Sequence, residues 1–239
     1  GMSIGKQISD LRYNYNLIIG TPGRLKDLIE RRMINLSRFN TVVLDEADRM
    51  LDMGFIQDTR FIMNGLPKEK QVLFFSATIP YAVEKIIKEF LKNPIRVSVK
   101  IRDTSSNVDQ DIVRIDRGKN KIDVLDSLLI KEEFTKVLIF GRTKHGVERL
   151  SKILIQKGFR AESIHGNKNH SQRQKALTMF KESRIQILVA TDVAARGLDI
   201  ADVSHVINFD VPATFDEYIH RIGRTGRWNK KGKALTFIE

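Results

Sequence analysis

Short apolar runs alternate with longer amphipathic stretches from one end of the chain to the other. Asn16–Gly20, Thr41–Leu44 and Gln71–Phe75 are brief, rich in Val, Ile, Leu and Phe, and free of charge. Runs of that kind mark strands buried on both faces, as in parallel sheets. Between them Arg24–Arg31 and Asp58–Asn64 are patterned as helices. Ala82–Leu91 is clearer, with Val83, Ile86, Ile87, Phe90 and Leu91 on one face at helical spacing. Asn93-Pro94 ends that helix, because proline restricts the residue before it and offers no N–H.

Arg102–Gln110 is polar and aperiodic, the composition of a linker. The alternation then restarts, with predicted strands at Ile112–Ile115, Lys136–Phe140, Ala161–Ile164, Ile185–Ala190, His205–Phe209 and Ala234–Ile238. Helices separate them; Val147–Ile155 places Val147, Leu150, Ile153 and Leu154 on a single face. Repeated strand–helix–strand units imply right-handed crossovers and a parallel sheet covered on both sides. The predicted fold class is α/β in two parallel-sheet domains, residues 1–100 and 111–239, joined by a linker over 101–110. No heptad or low-complexity segment interrupts the pattern.

In open α/β sheets ligands bind beyond the carboxyl ends of the strands, and polar clusters fall there repeatedly. Asn16–Gly20 empties into Thr21-Pro22-Gly23-Arg24, Thr41–Leu44 into Asp45-Glu46-Ala47-Asp48, and Gln71–Phe75 into Ser76-Ala77-Thr78. Ile185–Ala190 leads to Thr191-Asp192 and on to Arg196-Gly197-Leu198-Asp199. A random scatter of polar residues would not keep choosing strand exits.

Composition narrows the class. Hydrophobic content of 41% and charged content of 29% suit a soluble globular protein, and apolar runs reach only four residues, too few for a spanning helix. No charged-then-apolar leader opens the chain. The absence of cysteine excludes disulfides and thiolate metal sites and fits a reducing cytoplasm. The net charge of +12 is spread over both halves, +5 in residues 1–100 and +7 in 101–239. Two basic lobes would attract a polyanion such as nucleic acid, although solvated basic helix faces would give the same balance.

Asp45 follows the last apolar residue of its strand, where a carboxylate can hold Mg²⁺ opposite phosphates. Glu46 can orient or deprotonate an attacking water. Asp48 is placed to bond neighbouring polar groups such as the hydroxyls of Ser76 and Thr78. Arg224 and Arg227 lie three apart in Phe215–Arg227, which starts as a helix, so continued helical geometry would aim both the same way. Guanidinium forks suit phosphate oxygens, and Gly223 and Gly226 permit close backbone approach to a ligand. Carboxylates in one lobe and arginines in the other suggest nucleotide hydrolysis across a cleft. The competing readings are a solvated acidic turn and a basic surface helix. Gly1–Gln7 imitates a phosphate loop but has three residues between its glycines where four are needed, and Gln7 stands where a Ser/Thr would bind Mg²⁺.

Thr21–Arg24 (TPGR), Asp45–Asp48 (DEAD), Ser76–Thr78 (SAT), Val137–Lys144 (VLIFGRTK), Thr191–Asp199 (TDVAARGLD) and His220–Arg227 (HRIGRTGR) together resemble a DEAD-box ATP-dependent RNA helicase, in the family's order and over essentially the whole chain. Asp45–Phe55 (DEADRMLDMGF) points to the bacterial type. The resemblance implies two RecA-like domains that close on ATP and RNA. Asp45 would hold Mg²⁺, through water, and Glu46 would activate water. Ser76 and Thr78 would couple hydrolysis to RNA release, and Asp48 and His220 would help join the closed lobes. Asp199, with Gly197 beside it, would contact the ATP ribose, and Arg224 and Arg227 would reach the γ-phosphate. RNA would be held by Gly1, Thr21, Pro22, Gly23 and Arg24 in the first lobe and by Thr143, Gly166, Arg173 and Thr191 in the second. The helix after Arg24 resembles the family's strand-bending wedge, so duplexes would open locally, with little sequence preference.

The chain departs from the family pattern at His170, where Gln is usual three residues before Arg173. It also starts at what looks like the second glycine of a GG element and lacks the phosphate loop, so the first domain is expected to be incomplete and these residues alone to turn ATP over near background. It stops short of the family's final helix. The alternative is a non-catalytic RNA-binding or annealing module, or a decayed helicase.

Overall fold

The chain divides into two units, Met2–Ser98 and Val99–Glu239. Within them the computed structural model describes residues 3–13, 15–52, 54–98, 107–195, 200, 203–226 and 231–238.

The first unit runs α1 (Ile4–Asp10), α2 (Pro22–Glu30), a 3-10 turn (Leu36–Arg38), β1 (Thr41–Leu44), α3 (Ala47–Asp52), α4 (Ile56–Gly65), β2 (Gln71–Phe74) and α5 (Tyr81–Phe90). β1 and β2 pair in parallel, Thr41 opposite Gln71 and Leu44 opposite Phe74. Leu44, Met63 and Leu66 are buried at the centre, with Leu36, Val42 and Phe74 packed around them. The apolar stripe of α5 buries Val83, Ile86 and Ile87, the positions its spacing singled out.

Asn16–Gly20 is not a strand, contrary to its patterning. An extended apolar run becomes a strand only where a neighbour takes its backbone hydrogen bonds. Among the described residues this unit's sheet contains β1 and β2 alone. Leu17 and Ile19 consequently lie 73% and 87% exposed.

The second unit runs β3 (Val108–Arg114), α6 (Lys121–Leu129), β4 (Val137–Phe140), α7 (Lys144–Gln156), β5 (Ala161–Ile164), α8 (His170–Lys181), β6 (Ile187–Ala190), α9 (Asp192–Ala195), β7 (His205–Asn208), α10 (Phe215–Ile222) and β8 (Gly232–Ile238). Among the described residues its strands lie in the order β3-β8-β7-β4-β6-β5, every neighbouring pair parallel. Successive strand residues face opposite sides. Val137, Ile139, Ile187 and Val189 join Leu125, Leu129, Leu150 and Leu154 from α6 and α7. Leu138, Phe140, Leu188 and Ala190 join Ala176 and Phe180 from α8 on the other face. Burial on both faces is why β4 and β6 read as unbroken apolar runs.

Two boundaries differ from expectation. The expected linker ends too late, because β3 already starts at Val108, pairing with Gly232, and Gln110 pairs with Ala234. β3 is an edge strand whose Asp109, Gln110 and Asp111 are exposed, so its composition imitates a linker. The rest of that stretch, 101–106, lies outside the described residues. Phe215–Arg227 starts as a helix, as expected, but the helical geometry does not continue to Arg224: α10 ends at Ile222, with Gly223 at its C-cap. Among the described residues no helix is long and apolar enough to cross a membrane.

Candidate functional site

In the first unit the ladder carries on past the strands, with the Phe75 N–H donating to Leu44 O at 2.8 Å and the Ala47 N–H to Phe75 O at 3.0 Å. This brings the two strand exits side by side. Asp48, 7% exposed, accepts from both the Thr78 N–H and the Thr78 hydroxyl at 3.0 Å. Ser76 meets Asp48 differently from a hydroxyl-to-carboxylate contact. Its Oγ accepts the Asp48 backbone N–H at 3.2 Å and donates to Thr78 O at 2.6 Å. A buried carboxylate is tolerated only when its lone pairs are filled in this way.

Asp45 and Glu46 are exposed. Asp45 Oδ1 accepts the Glu46 N–H at 2.9 Å. Glu46 adopts φ +51°, left-handed backbone that a residue with a Cβ enters at a cost of about 1–2 kcal/mol. Its carboxylate is paired with the Arg49 guanidinium, one α-helical turn on. Among the described residues no group of three His, Asp or Glu could hold a metal unaided.

Thr21 stands at the N-cap position of α2 without a side-chain bond to the helix, and Pro22 follows in the first turn, where its missing N–H costs nothing. The Arg24 guanidinium donates to Gln7 Oε1. A Cβ on Gly23 would sit 3.2 Å from Asp58 Oδ2, so α2 packs tightly there.

In the second unit, β4 leads to α7 and β5 on one side, while the neighbouring β7 leads to α10 and β8 on the other. The exits of β4 and β7 therefore form the topological switch point of this sheet. An open cavity of about 480 Å³ lies there, lined by Lys121, Arg142, Thr143, Asp210, Val211 and Phe237. Asp210 Oδ2 accepts the Arg142 N–H at 2.7 Å, and Thr143 Oγ1 accepts the Gly146 N–H at 3.0 Å to cap α7. Gly166 follows β5 and Thr191 follows β6, with the Thr191 N–H on Ile164 O. A Cβ added at Gly166 meets nothing within 4 Å, so the protein itself does not demand glycine there. Arg173 Nε, on α8, is buried without a hydrogen-bond partner.

Gly223 and Gly226 answer to the protein's own packing. A Cβ on Gly223 would lie 3.1 Å from Ile219 O, and one on Gly226, at φ +67°, 2.7 Å from Val108. Arg224 sits in the turn past α10, and His220 in the last turn of that helix. Gly1, Gly197, Asp199 and Arg227 lie outside the described residues.

Arg221 stands in the basic cluster with no spacing or pattern that singles it out. It is 3% exposed and forms a fork on Asp192, with Nε to Oδ1 and Nη2 to Oδ2 both at 2.7 Å. It also donates to Asn208 Oδ1 at 3.2 Å and Asp210 O at 2.7 Å, and lies 5.1 Å from the Phe140 ring centre. One cation thus ties the exits of β4, β6 and β7 to α10. Only its place among the basic residues of His220–Arg227 hinted at it.

Two family models match: "DEAD/DEAH box helicase" over residues 1–86 and "Helicase conserved C-terminal domain" over residues 120–229. The chain belongs to the DEAD-box helicase family. It is 50% identical over 239 residues to the DEAD-box ATP-dependent RNA helicase CshA of Bacillus subtilis (strain 168), covering all of this chain and 48% of that protein. The chain thus spans about half the length of the curated relatives it matches. Among solved structures, S. cerevisiae Dbp5 bound to RNA and ADP BeF3 superimposes with a TM-score of 0.82 at 34% identity, over 95% of this chain and 60% of that one. A hypothetical ATP-dependent RNA helicase from Sulfolobus tokodaii gives 0.54 at 39% identity, over 100% of this chain and 69% of that one. The RecA-like α/β fold expected from the motifs is the fold of these neighbours.

Proposed function

We propose that this chain carries the water-activating turn and RNA-holding loops of an ATP-dependent RNA helicase that opens duplexes locally. The observation that carries the reading is the network joining Asp48 to Ser76 and Thr78, because it links the acidic turn after β1 to the turn after β2. A shift at one exit must then be felt at the other, which suits coupling of hydrolysis to RNA release. Glu46 is the group that takes up a proton from, or orients, the attacking water. Asp45, a single exposed carboxylate at a strand exit, fits the way Mg²⁺ is held beside phosphates, with water filling most of its shell. When bound, Mg²⁺ would neutralise phosphate charge.

Arg224, Arg227, Gly197 and Asp199 are assigned to ATP, and His220 to the closed state, on the resemblance. Thr143, Gly166, Arg173 and Thr191 are assigned to RNA, as are Gly1 and Thr21–Arg24. The open space at Gly166 and the unpartnered Arg173 Nε support that assignment, since both suit a phosphate brought by a ligand. RNA and ADP BeF3 stand in the name of the matched Dbp5 complex and ATP in that of the CshA relative, and RNA and ATP come to this chain as proposals. The cytoplasmic setting read from the cysteine-free composition goes with them.

The test uses a protein in which these 239 residues follow a phosphate-binding loop, which they do not themselves contain. Glu46→Gln should cut RNA-stimulated phosphate release by about 10²-fold or more while leaving RNA affinity within about two-fold. Turnover that survives the substitution would remove Glu46 from its role.

A further inference from the structure

Behind the exposed Gly166 turn lies a hydrogen-bonded relay that no catalytic or RNA-binding role above uses. His165 directly follows β5 and is 6% exposed. Its Nδ1 accepts the Asn167 N–H at 3.3 Å, which makes Nε2 the protonated nitrogen. Nε2 lies 3.1 Å from Oε2 of Glu148, on α7, and therefore donates to it. The same oxygen accepts the Ser163 hydroxyl at 2.6 Å. These bonds, more than any positive charge, hold the Glu148 carboxyl at about 2; Ser163 acts first, then His165, with Lys168 adding to them against the cost of burial. The turn is closed further by the Lys168 N–H on His165 O at 3.1 Å and by Lys144 Nζ on Asn167 Oδ1 at 3.1 Å. Asn169 then caps α8, the helix that carries Arg173.

We propose that Glu148 and His165 are positioning residues for RNA: acting through the Asn167 amide, they fix the 165–169 turn so that Gly166 and Arg173 meet one phosphate together. The inference rests on the RNA assignment of Gly166 and Arg173. Two observations favour positioning over mere packing. The imidazole spends both nitrogens on fixed partners, one of them the backbone of an exposed turn. That turn meets nothing of the protein where a Gly166 Cβ would stand, so it leaves open space in which a ligand can approach the backbone.

The experiment measures binding of a fluorescent oligo-uridine by the 239-residue chain, at several salt concentrations, alongside thermal unfolding of each variant. Arg173→Ala should weaken binding and lower the salt slope by about one, the signature of a lost phosphate contact. His165→Ala should weaken binding about five- to ten-fold with the slope unchanged, because it touches no phosphate. Glu148→Ala should lose less, and the double variant no more than His165→Ala alone, since Glu148 acts through the imidazole. His165→Asn keeps an acceptor where Nδ1 stood and should recover most of the affinity; His165→Gln should not. Variants are compared at equal folded fraction, so a lobe that merely unfolds more easily gives a normal dissociation constant. A weakening by Arg173→Ala with no effect of His165→Ala, additive losses in the double variant, or equal behaviour of the Asn and Gln variants would each overturn the positioning role alone. Absence of RNA binding by the unsubstituted chain would overturn the RNA reading, and this inference with it.

Discussion

Arg221 shows how one buried charge can organise a set of strand exits. Its cost of desolvation is met by a two-pronged bond to Asp192, two further acceptors and the face of Phe140. Arg221→Ala removes the guanidinium paired with Asp192 and the donor to Oδ1 of the fully buried Asn208. It should destabilise the second unit by about 3–5 kcal/mol, read from denaturant unfolding. Arg221→Lys should recover only part of this, because a single ammonium cannot reproduce the fork. The motifs made the Asp45–Asp48 turn and the His220–Arg227 cluster visible in the sequence. They did not show which arginine of the cluster is buried, because Arg221 and Arg224 differ in environment and not in type.

At the scale of elements, caps are the most local feature. Asn169 and Gln172 form a reciprocal box at the start of α8, the Asn169 side chain accepting the Gln172 N–H at 2.9 Å and the Gln172 side chain accepting the Asn169 N–H at 3.0 Å. Asn169→Ala should cost about 1 kcal/mol in thermal or chemical unfolding. A smaller loss of RNA affinity should accompany it, because α8 carries Arg173. Thr143 on α7 and Thr214 on α10 cap their helices by the same side-chain bond to a backbone N–H. Strands obeyed a less local rule. β1, β2 and β4–β7 follow their apolar runs, whereas Asn16–Gly20 has the right residues and no ladder. β3, too polar to be read as a strand over Val108–Gln110, is drawn into the sheet by β8.

Over the whole molecule, pH should act mainly through the second unit. His205 is 6% exposed and stacked on Phe134 with centroids 3.9 Å apart. Burial pushes its pKa below the ordinary value of 6.5, partly opposed by Glu133 and reinforced by Lys233. The unfolded chain then binds the proton more readily. The stability held by neutral His205 is complete above about pH 6.5 and is lost as pH falls from there through its folded value. Glu148 works lower on the scale: with its carboxyl at about 2 against 4.5 ordinarily, its contribution is present above pH 4.5 and drains away down to about pH 2. Thermal midpoints should therefore be flat near pH 7–8 and fall in two stages on acidification. His205→Phe should remove the upper stage, and persistence of that stage in the variant would assign it to another group.

The amino-acid order alone determined the α/β class, nearly every strand of the second unit with its helix α7 and the start of α10, and the acidic and basic clusters at strand exits. Those follow from periodicity and local chemistry, which need no distant neighbour. Tertiary structure decided which runs find a ladder, where α10 stops short of Arg224, and that Arg221 is the cation bound to Asp192. It also brought Ser163, in β5, and His165, just past it, onto one carboxylate oxygen of Glu148 in α7. Hydrogen bonds and desolvation act over a few ångströms in space, and that proximity comes only from the folding of the chain.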